Sequence, residues 1–441
     1  MTKISRNILI ITYYFPPAGG PGVQRVLKFI KYLPEFGWNP VVITVKNGDF
    51  PATDPSLFED VPDNVPVYRI PALEPYKLYR KLTGKDAQET IPVGVLSREK
   101  QNSPLEKLSK WIRANLFIPD ARIGWIFPVY RRATHLIRKH NIDAILSSSP
   151  PHSLQLSAKM LAKKFKLPWI ADLRDPWTEI YYYQHLKRFP ISNQLDIKME
   201  KSVLKNADSV TTVSPQLIKQ FKSKATGSYF FIPNGFDETD INTTDAIEKD
   251  GLFTLSYIGN FKSNQNIKEL WKALSEIVQG NQDFAQNFKL KLTGKIHPDI
   301  MESLNIFGLD EHLSTEDYVP HSVAVTRMKM ASLLLFPIPQ AADNKGILTG
   351  KIFEYLASGS PLLSIGPPDG DAAKIIKEVD GGPMFDYNEK EGIKKYILKC
   401  FRKWQKNSLE KLCPNPDKVK TYNRRELTRQ LAQQLNNLVQ E

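Results

Sequence analysis

The chain has 441 residues, 41% hydrophobic and 24% charged, with a formal net charge of +13. That length exceeds one ordinary hydrophobic core and suits two domains of about 200 residues each. No stretch reaches the roughly 18 uninterrupted apolar residues of a membrane span, and no nucleic-acid motif or long Lys/Arg block accompanies the positive charge, which suits either a solvated basic surface or attraction to anions.

The first apolar run, Ile8–Tyr14, follows a basic lead, as a signal peptide would. No small-residue cleavage site comes after it, only Pro16, Pro17, Gly19 and Gly20, so it reads as a buried first strand. A helix follows, with Val23, Val26, Leu27, Ile30 and Leu33 on one face. Further strands are expected at Pro40–Val45, Val67–Ile70, Ala144–Leu146, Trp169–Ala171, Ser209–Val213 and Tyr229–Ile232. Residues 72–130 mix Lys/Arg with aromatics and read as an insertion, either a lid packed on its own domain or an acceptor-side or membrane-facing surface, the latter carrying Trp111, Arg113, Phe117, Trp125 and Arg131. The polar stretch 236–251 reads as a linker between a domain over 1–235 and a second over 252–420. Strands of the second domain are expected at Phe253–Ile258, Lys289–Thr293, Tyr318–Val319, Ser332–Phe336, Pro361–Ile365 and Pro383–Phe385. A polar amphipathic helix over 421–441 closes the chain and is placed to cross back to the first domain. Strands alternating with helices predict an α/β fold of two doubly wound parallel-sheet domains, with the ligand cleft at the carboxyl ends of the strands. Cys400 and Cys413 form neither a metal-like pair nor a disulfide framework, which fits a reducing cytoplasm. The seven histidines lack metal-site spacing, and no metal is expected.

Five segments carry candidate chemistry. In YYFPPAGGPGVQR, Gly20 and Gly22 lie between a strand and a helix start, where backbone N–H groups attract anions. Arg25 stands where a dinucleotide fingerprint needs its third glycine, which disfavours a dehydrogenase. In SSSPPHSLQL, His152 follows a strand end and reads either as a packed residue or as a group at the cleft. In WIADLRDPW, Asp172, Arg174 and Asp175 follow a buried strand and need partners or a ligand. Arg174 suits a phosphate or carboxylate, or pairs with its aspartate neighbours. In IPNGFD, Asn234-Gly235 is turn chemistry at the passage between domains. In KGILTGKIFEYLASGSPLL, the glycine spacing and Ile352 depart from a P-loop, so an NTPase is disfavoured. Lys351 and Glu354 share a helix face, suited to a phosphate and to ribose hydroxyls, or to an ion pair with each other.

Together, GGPGVQR, PPH, ADLRDPW, TTVSP at Thr211–Pro215, IPNGFD, YIGNF at Tyr257–Phe261 and TGKIFEYLASGSPLL resemble the family 4 retaining glycosyltransferases of GT-B fold. The resemblance covers nearly the whole chain. It implies two Rossmann-like domains facing a cleft, and retaining transfer of a sugar from a nucleotide diphosphate, without a metal, to a glycan or lipid-linked acceptor. It makes His152 and Glu354 the catalytic candidates, Glu354 holding the ribose. The donor site would take Gly20, Gly22, Gly259, Asn260, Lys262, Val319, Thr349, Gly350, Lys351 and Glu354; the acceptor side would take Gln24, Asp172, Arg174 and Asp175. The segment Tyr318–His321 lies where the family's base-binding loop lies and implies a UDP-sugar. Cell-surface polysaccharide synthesis at the cytoplasmic side of an anionic membrane is the expected setting. Two departures stand out. Gly346 occupies the place of the family's first glutamate. Asn260 and Asn266 replace its Arg/Lys pair, leaving Lys262 and Lys351 to meet the diphosphate charge. A sugar-nucleotide epimerase and a non-catalytic nucleotide-sugar-binding protein are the alternatives; the basic, aromatic insertion argues against the first, while the missing glutamate and Arg/Lys pair favour the second.

Overall fold

Strands rich in Ile, Val and Leu on both faces call for helices on both sides of a parallel sheet. A computed structural model describes residues 5–50, 52–72, 111, 112, 114–179, 188–241 and 251–440, apart from the side chain of Pro21. The chain divides into two compact units, Met1–Pro233 with Leu427–Glu441, and Asn234–Glu426.

In unit 1, strands β1 (Arg6–Thr12), β2 (Trp38–Val45), β3 (Val67–Ile70), β4 (Ala144–Ser149), β5 (Trp169–Leu173), β6 (Ser209–Thr212) and β7 (Tyr229–Phe231) form a parallel sheet. Its order is β3-β2-β1-β4-β5-β6-β7. The period-2 alternation of β1 sends Ile8 and Ile10 against helix α1 (Pro21–Tyr32), where Val26, Leu27 and Ile30 are buried. Leu9 and Ile11 face the opposite core, with Val129 and Leu136 of α2 (Ile126–Lys139) and Ala158 and Leu161 of α3 (Leu154–Phe165). Helix α4 (Pro190–Asn206) precedes β6.

In unit 2, β8 (Phe253–Ile258), β9 (Phe288–Thr293), β10 (Leu313–Glu316), β11 (Leu333–Pro337), β12 (Leu362–Ile365) and β13 (Met384–Phe385) are also parallel. Their order is β10-β9-β8-β11-β12-β13. Helices α5 (Lys268–Gly280) and α8 (Lys390–Gln405) cover one face; α6 (His321–Met330) and α7 (Gly350–Ala357) lie between them in the chain. Trp271 and Leu274 meet Leu255, Leu290, Ile393 and Ile397 in that core. In each sheet the strand order reverses beside the first strand, between β1 and β4 and between β8 and β11. Such switch points open a crevice at the strands' carboxyl ends.

Three expectations change. Tyr318–Val319 is not a strand: the edge strand is Leu313–Glu316, its pairing ends at Glu316, and Tyr318 is exposed in the loop that leads to Pro320 and the next helix. The insertion expected over 72–130 runs into core, since Trp125 is 1% exposed with its indole N–H on the Ile70 carbonyl, and Ile126 begins α2; residues 73–110 and 113 lie outside the described residues. Of the stretch expected as a linker, Phe236 and Asp237 are buried, Glu238–Ile241 is a short helix, and 242–250 lie outside the described residues.

The C-terminal helix, Arg424–Gln440, completes unit 1. Leu427, Leu431 and Leu435 join the α1 core, and Asn436 Oδ1 accepts from Trp38 Nε1 at 3.1 Å and Arg6 Nη1 at 3.2 Å. Leu431 is fully buried, so Leu431→Ala should cost about 2–5 kcal/mol. A denaturant titration that leaves the midpoint of unit 1 unmoved would contradict this packing.

Candidate functional site

The unit 1 motifs sit on the loops that leave β1, β4 and β5, at the switch point. Gly20 caps α1 with φ +93°, and no side chain caps that helix start. Arg25, one turn into α1, is 2% exposed. Its Nε and Nη2 donate to the Asp172 carboxylate at 3.1 and 2.8 Å, and its Nη1 donates to the carbonyls of Ile232 and Pro233 at 2.7 and 2.9 Å. Asp172 is fully buried and also accepts from Ser148 Oγ at 2.6 Å and Thr211 Oγ1 at 2.9 Å. Burial opposes its ionisation, yet Arg25 and the Ser148 hydroxyl outweigh that and hold the carboxyl below its ordinary value. Asp172, expected on the acceptor side, is therefore a buried structural anion whose oxygens are already engaged.

Arg174 pairs with neither neighbouring aspartate within ion-pair distance among the described residues. Its Nε donates to the Ser149 carbonyl at 3.0 Å and its Nη1 to the Gly22 carbonyl. A Cβ on Gly22 would lie 3.1 Å from that Nη1, so Gly22 makes room for Arg174. Gln24 is half-buried in the first turn of α1. Asp175 is half-buried, and among the described residues its carboxylate has no hydrogen-bond or ion-pair partner; burial raises its carboxyl above the ordinary value.

His152 stacks on Trp177, centroids 4.8 Å apart and planes 14° from parallel. One ring nitrogen meets the Pro176 carbonyl, while Nδ1 is buried without a partner. Burial pushes its pKa down to about 3, and the Arg174 charge adds to this. The ring is thus neutral near pH 7, with its N–H assigned to the Pro176 side and an unused lone pair on Nδ1. A proton acceptor that weak is no general base near neutrality.

Trp177 is held in turn by α4. Its indole N–H donates to Asp196 Oδ1 at 2.7 Å, and Thr178 Oγ1 donates to Glu200 Oε2 at 2.6 Å. Arg188 and Lys224 neutralise these two carboxylates. Sequence reasoning passed over Asp196 and Glu200, although carboxylates four apart on a helix whose Ile191 and Leu195 are exposed mark an inward polar face.

In unit 2, Gly259 ends β8 with φ +120°, and a Cβ there would lie 2.3 Å from Lys351 Nζ. Only glycine combines that backbone with that approach. Lys351, in the first turn of α7, donates to Tyr257 OH at 2.8 Å and lies 4.4 Å from that ring's centroid. The Tyr257 hydroxyl in turn donates to the Asn260 carbonyl at 2.8 Å. Burial lowers the Lys351 pKa to about 8, opposed by Glu354 and assisted by Lys262. Lys351 forms no ion pair with Glu354, and the Glu354 carboxylate, half-buried one turn on, has no hydrogen-bond or ion-pair partner among the described residues. Thr349 caps α7 without a side-chain bond, and the space beside Gly350 is open. Asn260 and Lys262 are exposed, and Val319 is half-buried in the loop after β10. Asn266 is engaged with Trp271, Asp299 and Ser303. A cavity of about 340 Å³ on this sheet's face is lined by Ser256, Lys291, Thr293, Glu316 and Arg327 and by none of the candidate residues.

Residues 19–235 match the family model of a glycosyl transferase 4-like domain. No curated protein matches the chain. Among solved structures, a glycosyltransferase from Rickettsia africae is similar over 99% of each chain at 14% identity, TM-score 0.61. Sucrose-phosphate synthase from Thermosynechococcus elongatus is similar over 98% of this chain and 99% of its own at 16% identity, TM-score 0.60. WaaG, a glycosyltransferase involved in lipopolysaccharide biosynthesis, is similar over 97% and 99% at 12% identity, TM-score 0.54.

Removing Arg25 strands a fully buried Asp172 charge. Arg25→Ala should therefore destabilise unit 1 by about 3–5 kcal/mol, read as a lowered denaturation midpoint; a midpoint equal to the wild type's would show that water or a shifted side chain replaces the pair.

Proposed function

We propose that this chain, which belongs through residues 19–235 to the glycosyl transferase 4-like family and has the GT-B fold, moves a sugar with retention from a nucleotide diphosphate, UDP in the first instance, to a glycan or lipid-linked acceptor. The observation that carries the donor side is the placement of Lys351 against Gly259, where a cation meets a strand end and an uncapped helix start. Charge builds on the diphosphate as the sugar–oxygen bond breaks. A preorganised ammonium and helix N–H groups stabilise that charge without reorganising. This arrangement offers a substitute for the Arg/Lys pair that Asn260 and Asn266 lack. The free Glu354 carboxylate is positioned to accept from two ribose hydroxyls. With His152 neutral and without basic strength, the departing phosphate oxygen is the natural recipient of the acceptor's proton.

A membrane-facing role draws support from a patch of unit 1. Trp111 and Phe189 are 40% and 50% exposed and touch edge-on at 5.7 Å, beside Leu116 and Ile191. Phe117 is half-buried and Arg131 exposed, while Trp125 leaves the expected set for the core; Arg113 lies outside the described residues. Among the described residues no helix is long and apolar enough to cross a bilayer, so the proposal is peripheral contact at a cytoplasmic membrane face. Co-sedimentation with anionic vesicles should be strongest at low salt, where screening is least; no binding at low salt removes this role.

Thermal-shift screening against nucleotide sugars tests the activity class, since a ligand at 100 times its Kd stabilises by about 2.7 kcal/mol. Failure of every nucleotide sugar to shift the protein would reject the donor reading. Calorimetry with UDP localises the site. Glu354→Ala and Lys351→Ala should each weaken binding by about 1.5–3 kcal/mol. Because Lys351 loses its proton above about pH 8, wild-type affinity should fall as pH rises through that value, and Lys351→Ala should flatten the profile. An unchanged slope in that variant would remove Lys351 from the phosphate site.

A further inference from the structure

Side chains of α7 hold the free end of β8. Strand β8 stays paired with β9 as far as Ile258, but its pairing with β11 stops at Ser256. Tyr355 takes over at that edge. Its hydroxyl accepts from the Ile258 N–H at 2.9 Å and donates to the Ile258 carbonyl at 3.3 Å. The two strands therefore part at the switch point without orphaning the backbone. Lys351 stands one turn earlier on the same helix face. It reaches the residues on either side of Ile258, Tyr257 through the hydroxyl and Gly259 by close approach.

An ammonium carries three donors and no acceptor. Among the described residues, the Tyr257 oxygen is the one hydrogen-bond acceptor that Lys351 meets. Tyr257 is itself fixed. Its ring stacks on Phe261, centroids 4.0 Å apart and planes 22° from parallel, and its own proton goes to the Asn260 carbonyl. With that proton in use, the oxygen is left to accept from the lysine. Such a partner favours the ammonium over the free amine, and it leaves two N–H groups for an incoming anion. Burial opposes the charge most; Glu354 on α7 favours it, and Lys262 on the loop after β8 opposes it. Burial keeps the Tyr257 and Tyr355 hydroxyls protonated, so neither titrates near neutrality.

We propose that Tyr257 is a positioning residue for Lys351: its hydroxyl keeps the side chain charged and aimed over Gly259, so that two N–H groups are presented to the diphosphate. The proposal rests on the donor reading of unit 2. Tyr257 touches no ligand and acts through the lysine.

Lys351 is titrated in the full-length protein by amine labelling with acetic anhydride, read by mass spectrometry, without nucleotide. The wild type should label half-maximally near pH 8. Tyr257→Phe keeps the ring beside the ammonium and removes only the acceptor. It should move that midpoint down by about one unit or more, since a hydrogen bond to a charged group is worth about tenfold or more. Calorimetry with UDP then reads the coupling. A one-unit drop lowers the charged fraction about twofold near pH 7 and about fivefold near pH 8. Tyr257→Phe should weaken UDP binding by those factors, and should change nothing when added to Lys351→Ala. A group that acts only through the lysine has no effect once the lysine is gone. Three results each overturn the proposal: a wild-type midpoint at the ordinary lysine value, a midpoint unmoved or raised in Tyr257→Phe, or a further loss of UDP affinity in the double variant. The first needs no variant, so a misfolded Tyr257→Phe does not shelter the idea. A wild type that ignores UDP rejects the donor reading alone, because the labelling midpoints are measured without nucleotide.

Discussion

The buried pair of Arg25 and Asp172 is the constraint on which the first unit's loops depend. Five segments converge on it: α1 through Arg25, β4 through Ser148, β5 through Asp172, β6 through Thr211, and the chain after β7 through the carbonyls of Ile232 and Pro233. In a low-dielectric interior such a pair contributes little net stability over an apolar core, because both ions have lost their water. Its value is geometric. A bidentate guanidinium tolerates one orientation of its carboxylate, so the strand ends from which the motif loops depart share one register.

The two units hold their cations in different ways. In unit 1 Arg25 is tied to a carboxylate and two carbonyls, and Arg174 is anchored through Nε and Nη1 to the carbonyls of Ser149 and Gly22. In unit 2 a single lysine is held without a carboxylate partner, propped on a tyrosine ring and its hydroxyl. Its environment makes charge costly, so an arriving anion relieves the lysine as much as the lysine stabilises the anion. Gly259 is the enabling residue, because any side chain there would collide with the ammonium.

Most strands could be read because each concentrates β-branched and leucine residues between turn residues. Val67–Ile70 and Phe253–Ile258 coincide with the observed strands at both ends. The edge strand Leu313–Glu316 escaped because an edge needs no second buried face, and Leu-Ser-Thr-Glu has one strongly apolar residue. In the site, the motifs gave the positions and not the partners. Arg25 was legible only as the residue that spoils a glycine fingerprint; its carboxylate lies 147 positions away. Lys351 and Glu354 were legible as neighbours on one helix face, but nothing local shows that the lysine turns 94 positions back to Tyr257 and leaves the glutamate free. Trp125 looked interfacial because amphipathic residues have the same composition whether they face lipid or a core.

The return of Leu427, Leu431 and Leu435 to the first unit makes that unit discontinuous, with all of unit 2 threaded between its two pieces. On the ribosome, the groove over α1 and β1 is made before unit 2, and its cover only after it. At a synthesis rate of about 5–20 residues per second, the interval while residues 234–426 emerge is on the order of ten seconds or more. During it, Val26, Ile30 and Trp38 lack the helix that shields them. The nascent first unit therefore carries an exposed apolar groove through that interval, and the second unit, whose sheet is made from one continuous stretch, is able to fold before the groove is covered.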